Sequence, residues 1–336
     1  MRRKGKQKIA VITGAGAGVG RAVAEEFARS GYDVALLSRE PERLARAAAQ
    51  LRSAYGGRAL AVPTDVADAA AVEAAAARVV EAFGRIDVWV NVAMATVFAP
   101  VSAMRPRDFE RATQVTYLGQ VYGTMAALSH MRERNRGAIV NVGSALASRA
   151  VPLQSAYCGA KFAVRGFTDA LRSELLHDRV NVHVSLVDLP AINTPQFDWA
   201  ANRTGWRARP VAPVFQPEVA ARAIRFAAEH RRRTLWLGWP TVRAILANLV
   251  APGLIDRYLA HAGYDGQLTH ERLAPDAPDN LHAPVPGDYG AHGRFDNEAR
   301  EGHVPLFTER HVHALMGGVA LGIAGLACAW ARRRRR

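Results

Sequence analysis

The sequence predicts an α/β fold: a doubly wound parallel sheet of about seven strands, helices on both faces, and a C-terminal extension. Short apolar runs alternate with stretches of helical periodicity from residue 8 to residue 237, the β-α-β-α order that yields a parallel sheet. The first run opens into Thr13-Gly14-Ala15-Gly16-Ala17-Gly18-Val19-Gly20 and then a helix, so a glycine-rich turn joins strand to helix near the amino terminus. Length agrees: 336 residues, 49% of them apolar, hold one large domain with a well-buried core and are too apolar for a disordered chain.

Taken in order, residues 8–13 form the first strand and 21–30 the first helix. Glycines let the backbone turn tightly and approach a pyrophosphate, and a helix amino end favours negative charge. Thr13, Gly14, Gly18, Val19 and Gly20 are therefore candidates for binding a dinucleotide. The second strand, 32–38, ends Ser38-Arg39. An acidic residue at that point would grip a ribose 2′-hydroxyl, whereas a guanidinium suits a 2′-phosphate. Ser38 and Arg39 thus favour NADP, with Glu40 leaving NAD as the second choice. Pro41 opens a helix to residue 54, and 58–63 is a third strand leading to Asp65-Val66. An alanine-rich helix, 68–83, precedes a fourth strand, 86–91. A long helix over 106–134 leads to a fifth strand, 138–142. A helix over 155–177 and a sixth strand over 180–187 follow. Residues 189–216 are irregular and rich in proline and aromatic residues, read as a lid over a substrate pocket or as a structural crossing loop. A helix from Pro217, a last strand over 234–237 and an apolar helix over 240–261, bent at Pro252, complete the body.

Chemistry centres on Ser144 and on Tyr157-Cys158-Gly159-Ala160-Lys161. Tyrosine and lysine four apart lie one above the other on a helix. An unperturbed phenol titrates near pH ~10, and a neighbouring ammonium lowers that value. Bringing it to neutral pH takes roughly 4 kcal/mol of differential interaction, within reach of a lysine and a second fixed cation. Ser144 follows a buried strand, at the carboxyl end where open α/β sheets place ligands. Cys158 has no partner histidine and reads as packing.

Formal net charge is +14, but Arg2, Arg3, Lys4, Lys6 and Lys8 hold five charges and Arg332 to Arg336 five more, which leaves an excess of 4 between them. Basic tips on a nearly neutral body do not make a nucleic-acid reader. Two cysteines make no disulfide framework, and the apolar run after the basic start is too short for a secretory signal, so a cytoplasmic setting is expected. No histidine spacing fits a metal site. The organisation expected is an α/β domain over 1–262, an extended or poorly ordered polar tail over 263–310, and an apolar helix with an arginine cluster over 311–336. Residues 314–331 reach the lower length limit for crossing a bilayer. Membrane association through that helix is ranked first, docking on the body or a partner second, an unstructured end third.

With these residues in view, the chain resembles the short-chain dehydrogenase/reductase family over residues 8–238, a Rossmann-type fold. The family's T-G-x-x-x-G-x-G turn stands as Thr13, Gly14, Gly18 and Gly20; its serine and Y-x-x-x-K stand as Ser144, Tyr157 and Lys161. The resemblance implies that Tyr157 transfers the proton, Ser144 orients a carbonyl or secondary alcohol, and Lys161 binds ribose and lowers the tyrosine pKa. It implies Asp65 and Val66 at the adenine, and Thr194, after Pro190, at the nicotinamide carboxamide. It also implies a homodimer or homotetramer built on the helices over 106–134 and 155–177. Three departures stand out. The strand end N-N-A-G reads Asn91-Val92-Ala93-Met94, the later Pro-Gly pair reads Pro190-Ala191, and the helix asparagine of the proton relay is Thr116. A threonine hydroxyl takes over that relay or the relay is weaker. The expected activity is NADP-dependent oxidoreduction of a small, apolar carbonyl or alcohol. The alternative is a catalytically weak NADPH sensor or a membrane-associated interaction protein.

Overall fold

In the computed structural model, residues 7–308 are described, with His311, Ala314 and Gly317 beyond them. Seven strands run parallel: β1 Ile9–Thr13, β2 Asp33–Ser38, β3 Ala59–Pro63, β4 Val88–Asn91, β5 Gly137–Ser144, β6 Val182–Leu189 and β7 Thr234–Leu237. Their order across the sheet is β3-β2-β1-β4-β5-β6-β7. An eighth strand, β8 Leu306–Phe307, was not expected from the sequence; it pairs antiparallel with β7, Leu306 opposite Leu237 and Phe307 opposite Trp236. Two residues are too few to give a period, which is why this edge is not readable from sequence.

Six helices lead to the site. Helix α1, Gly18–Arg29, has no side-chain cap at its amino end. Helix α2, Pro41–Tyr55, starts with Pro41 at its first position, where the missing N–H costs nothing, and Glu40 caps it. Helix α3, Ala69–Phe83, is capped by Asp68, which accepts from the N–H groups of Ala70 and Ala71. The expected helix over 106–134 is three pieces: α4 Pro106–Thr113, a π-helical turn Gln114–Leu118, and α5 Gly119–Glu133. Such turns widen the ladder by a residue and re-aim side chains; here the turn carries Thr116. Helix α6, Ser155–His177, carries Tyr157 and Lys161. Helix α7, Pro217–Glu229, joins α1 and α2 over one face of the sheet, while α3, α5 and α6 cover the other. All five residues of β1 are buried, as a strand covered on both faces requires.

Beyond β7, α8 Gly238–Val250 and α9 Pro252–Asp265 meet at the expected break before Pro252. Helix α9 continues to Asp265, past the domain boundary read at 262. Residues 266–305 have little regular structure, yet Gln267, Leu281, Val285 and Phe295 are buried. Among the described residues no helix is long and apolar enough to cross a membrane; the expected apolar helix at 314–331 lies outside the described residues, apart from Ala314 and Gly317.

Candidate active site

The carboxyl ends of β1, β2, β4, β5 and β6 open into one cavity of about 690 Å³. It brings Gly14, Gly18, Val19, Gly20, Ser38, Arg39, Asp65, Val66, Ser144, Tyr157, Lys161, Pro190 and Thr194 onto a single wall-to-wall surface. Sequence motifs far apart in the chain thus meet, because a doubly wound sheet delivers each strand end to the same edge.

At one end stands the chemistry. Ser144 closes β5, where its hydroxyl accepts from Leu146 N–H at 3.1 Å and hydrogen bonds to Tyr157. Lys161 lies one turn along α6, its Nζ 5.5 Å from the Tyr157 ring centre and donating to Val142 O at 2.6 Å. Only 2% of Lys161 is exposed. Burial pulls its ammonium down to about 7, with the Asp188 carboxylate working the other way. Asp188, fully buried on β6, takes hydrogen bonds from Arg165 and from Trp236 Nε1, yet desolvation still raises its pKa. A Cβ on Gly143 would lie 2.1 Å from Asp188 Oδ1, so that position must be glycine for strand and carboxylate to fit.

Tyr157 departs from expectation. The sequence reading has the lysine pulling the phenol down; here desolvation raises it above its ordinary value, and the Ser144 hydrogen bond only opposes this. The physical reason is that the phenol is desolvated, which penalises its charged form, and nearby Cys158 and Asp188 push the same way. Cys158 is buried and its thiol is pushed up to about 11, as a packing residue should be.

Three predicted residues do not line the cavity. Thr116 is buried and its hydroxyl is engaged twice with one residue, donating to Ala95 O at 2.7 Å and accepting from Ala95 N–H at 2.9 Å. Asn91 is buried in a polar knot, accepting from Trp89 Nε1 at 2.7 Å and donating to Asn141 Oδ1 at 2.9 Å. Thr13 ties β1 to the loop after β4, accepting from Val92 N–H at 3.0 Å. Thr13 and Thr116 thus tie backbone segments together, and Asn91 ties side chains of β4, β5 and α5.

The other end carries cations. Arg39, just before α2, is half-buried and Arg43, in its first turn, is buried; burial lowers both guanidinium pKa values. The sequence reading missed Arg43, although a second arginine in the first turn of the helix that follows Arg39 is a signal for the same anion. It also missed Arg111, which pairs with Asp65, and Asp188, a lone carboxylate inside an apolar strand. Glu40 also lines the cavity, but its carboxylate is engaged as the cap of α2, accepting from the N–H groups of Glu42 and Arg43. The stretch 189–216, expected as a lid or a crossing loop, lines one side of the cavity through Phe197, Trp199, Pro210 and Val211.

A glycine-rich turn and a tyrosine–lysine pair, its lysine buried, share one sheet-edge cavity, the crevice in which dinucleotide-dependent oxidoreductases of doubly wound fold bind their cofactor. Within that class the match is specific. The family model described as short chain dehydrogenase matches residues 8–202, and the chain belongs to that family. An uncharacterised oxidoreductase of Bacillus subtilis, YxnA, is 31% identical over 335 residues, covering 99% of this chain and 92% of that protein. Among solved structures, a short-chain dehydrogenase from Streptomyces avermitilis superposes with a TM-score of 0.64 at 28% identity, covering 79% of this chain and 100% of that one. The L-sorbose reductase of Gluconobacter frateurii, complexed with NADPH and L-sorbose, reaches 0.60 at 26% identity, covering 69% and 93%.

Proposed function

We propose that the protein is an NADP(H)-dependent oxidoreductase of an apolar carbonyl or secondary alcohol. The observation that carries this is the convergence of Ser144, Tyr157 and Lys161 with two arginines at the far end of one cavity. Arg39 and Arg43 are desolvated cations whose hydrogen-bond partners are neutral carbonyls. A 2′-phosphate would supply the missing anion. With Glu40 occupied at its cap, the features favour NADP over NAD. The turn residues Gly14 and Gly18, both at positive φ, give the close backbone approach a pyrophosphate needs.

The bound nicotinamide would supply or accept the hydride. The chain does the proton work. In the reducing direction Tyr157 gives its hydroxyl proton to the carbonyl oxygen as the carbon gains hydride, which leaves a phenolate; oxidation reverses both transfers. Ser144 donates a hydrogen bond to the same oxygen. Lys161, on the same helix face, steadies the phenolate when charged and takes ribose hydroxyls as acceptors for its N–H groups. Phe197, Val211 and Ile255 give the substrate end an apolar lining. Exposed Phe109, Met125 and Phe162 on α4, α5 and α6 support a homodimer or homotetramer through those helices.

The test is turnover of a carbonyl panel with NADPH and with NADH. Tyr157→Phe should lower turnover by roughly 10²- to 10⁴-fold while NADPH binding stays within about twofold; equal turnover in that variant ends the assignment. A second reading, an NADPH-binding sensor with little turnover, draws on Thr116, whose hydroxyl is engaged with Ala95 rather than open to a water. Turnover that depends on Tyr157 removes it.

A further inference from the structure

Residues 279–293 cross the mouth of the cavity at its arginine end, far outside the stretch that matches the family. Their backbone reaches the residues assigned above to the nucleotide. Arg39 donates to the carbonyls of Asn280 and Leu281, the latter at 3.3 Å. Arg43 donates to the carbonyls of Val285 and Gly287, the latter at 2.6 Å. Gly18 N–H, at the open amino end of α1, donates to Gly290 O at 3.0 Å. Gly293 lies so close to Thr194 that a Cβ there would stand 2.4 Å from the Thr194 carbonyl. The Arg43 guanidinium is also flanked by two rings, Trp199 of the substrate-side loop and Tyr289 of the crossing segment, with centres 5.2 and 5.3 Å away.

The segment is pinned rather than woven in. Leu281 and Val285 are buried, but most residues between them and on to Tyr289 are exposed. Two exposed histidines add to the arginine bonds that fasten it. His282 Nε2 lies 3.0 Å from Asp108 Oδ1, and hydrogen bonds from His282, Arg105 and Arg203 outweigh desolvation to hold that carboxyl near about 2. His292 bridges Glu218 at 2.8 Å and Asp296 at 2.9 Å. With no helix or strand of its own from 279 to 293, this stretch can come away by losing side-chain bonds to its carbonyls and two backbone bonds, Gly18 N–H to Gly290 O and Asn280 N–H to Trp199 O, without breaking any strand pairing.

We propose that residues 279–293 are part of the nucleotide site: they cover its adenosine half, hold Arg39 and Arg43 in place for the ribose phosphate, and must lift before the nucleotide can leave. The inference rests on the NADP(H) reading above. Its test is displacement of NADPH from the full chain, followed by nicotinamide fluorescence in a stopped-flow instrument. His282→Ala/His292→Ala, which removes both histidine anchors and leaves the arginine bonds, should release NADPH about tenfold faster than wild type, with the same amount bound at saturation. A merely destabilised protein would lose bound nucleotide instead of releasing it faster. A release rate equal to wild type overturns the proposal. Should the variant fail to fold, hydrogen exchange on the wild-type chain decides: amides of 279–293 should exchange at least about fivefold more slowly at NADPH saturation. No slowing there, with nucleotide demonstrably bound, overturns the proposal. If neither NADPH nor NADH binds saturably, the functional reading falls and takes this one with it.

Discussion

The two ends of the cavity are built on opposite principles. At the chemical end, every working group sits on a regular element: Ser144 on β5, Tyr157 and Lys161 on α6, Asp188 on β6. Charges there are sunk in the core, and their pKa values are displaced by desolvation. At the arginine end, cations meet the carbonyls of an irregular segment whose surface is mostly open to water. The first end cannot change without unfolding part of the sheet; the second can open locally. Proton transfer needs fixed geometry to within a fraction of an ångström, whereas ligand exchange needs a part that moves. On the function proposed above, one cavity would meet both needs by assigning them to different kinds of structure.

The sharpest way to break this contrast is to disarm the buried end. Lys161→Met should lower turnover by roughly 10²- to 10⁴-fold. It also reads the cost of burying a cation. The native pKa of about 7 lies below the ordinary 10.5, so between those values the unfolded chain holds a proton that the native chain lacks. Wild-type stability relative to Lys161→Met should therefore rise with pH across that window, by at most about 1.4 kcal/mol per pH unit. Urea unfolding of both proteins at pH 7 and pH 9 measures it; a gap that is flat or moves the other way contradicts a desolvated lysine.

The open end should answer in affinity instead. Arg39→Ala/Arg43→Ala should weaken NADPH binding by roughly 10- to 100-fold, as loss of charge-assisted hydrogen bonds to a phosphate does, and leave NADH within about twofold. Equal losses for both nucleotides in a titration would mean that the arginines hold the wall and not the phosphate.

The smallest effect is expected between the two ends. Thr116→Val keeps the shape and removes both hydrogen bonds to Ala95. It should cost about 1–3 kcal/mol of stability in chemical denaturation, because Ala95 is left with buried, unpaired backbone groups. Turnover should fall less than for Lys161→Met. A collapse of activity without loss of stability would instead put Thr116 in the proton path.

What the sequence disclosed follows the same division. The parallel sheet, the glycine-rich turn and the Ser144–Tyr157–Lys161 set were legible because each leaves a local period or a fixed spacing. Asp188 and Arg165 left a weaker trace, a charge on an apolar strand and another four residues beyond Lys161. The crossing segment left none. Its proline, glycine, aspartate and histidine content reads as solvated chain, and it is indeed mostly solvated; what holds it are carbonyls, which every sequence has, bonded to arginines some 240 residues away. The π-helical turn was equally silent, since one extra residue in a helix does not disturb a pattern read over a whole helix.

Gly143 has a consequence for how this protein can vary. It offers no side chain to any ligand, but even one added methyl group would collide with the Asp188 carboxylate and threaten its bonds to Arg165 and Trp236. A saturation library across β5 should therefore find this site as intolerant as the reactive tyrosine. The losses there would come in folded yield, with no change in which substrates are taken.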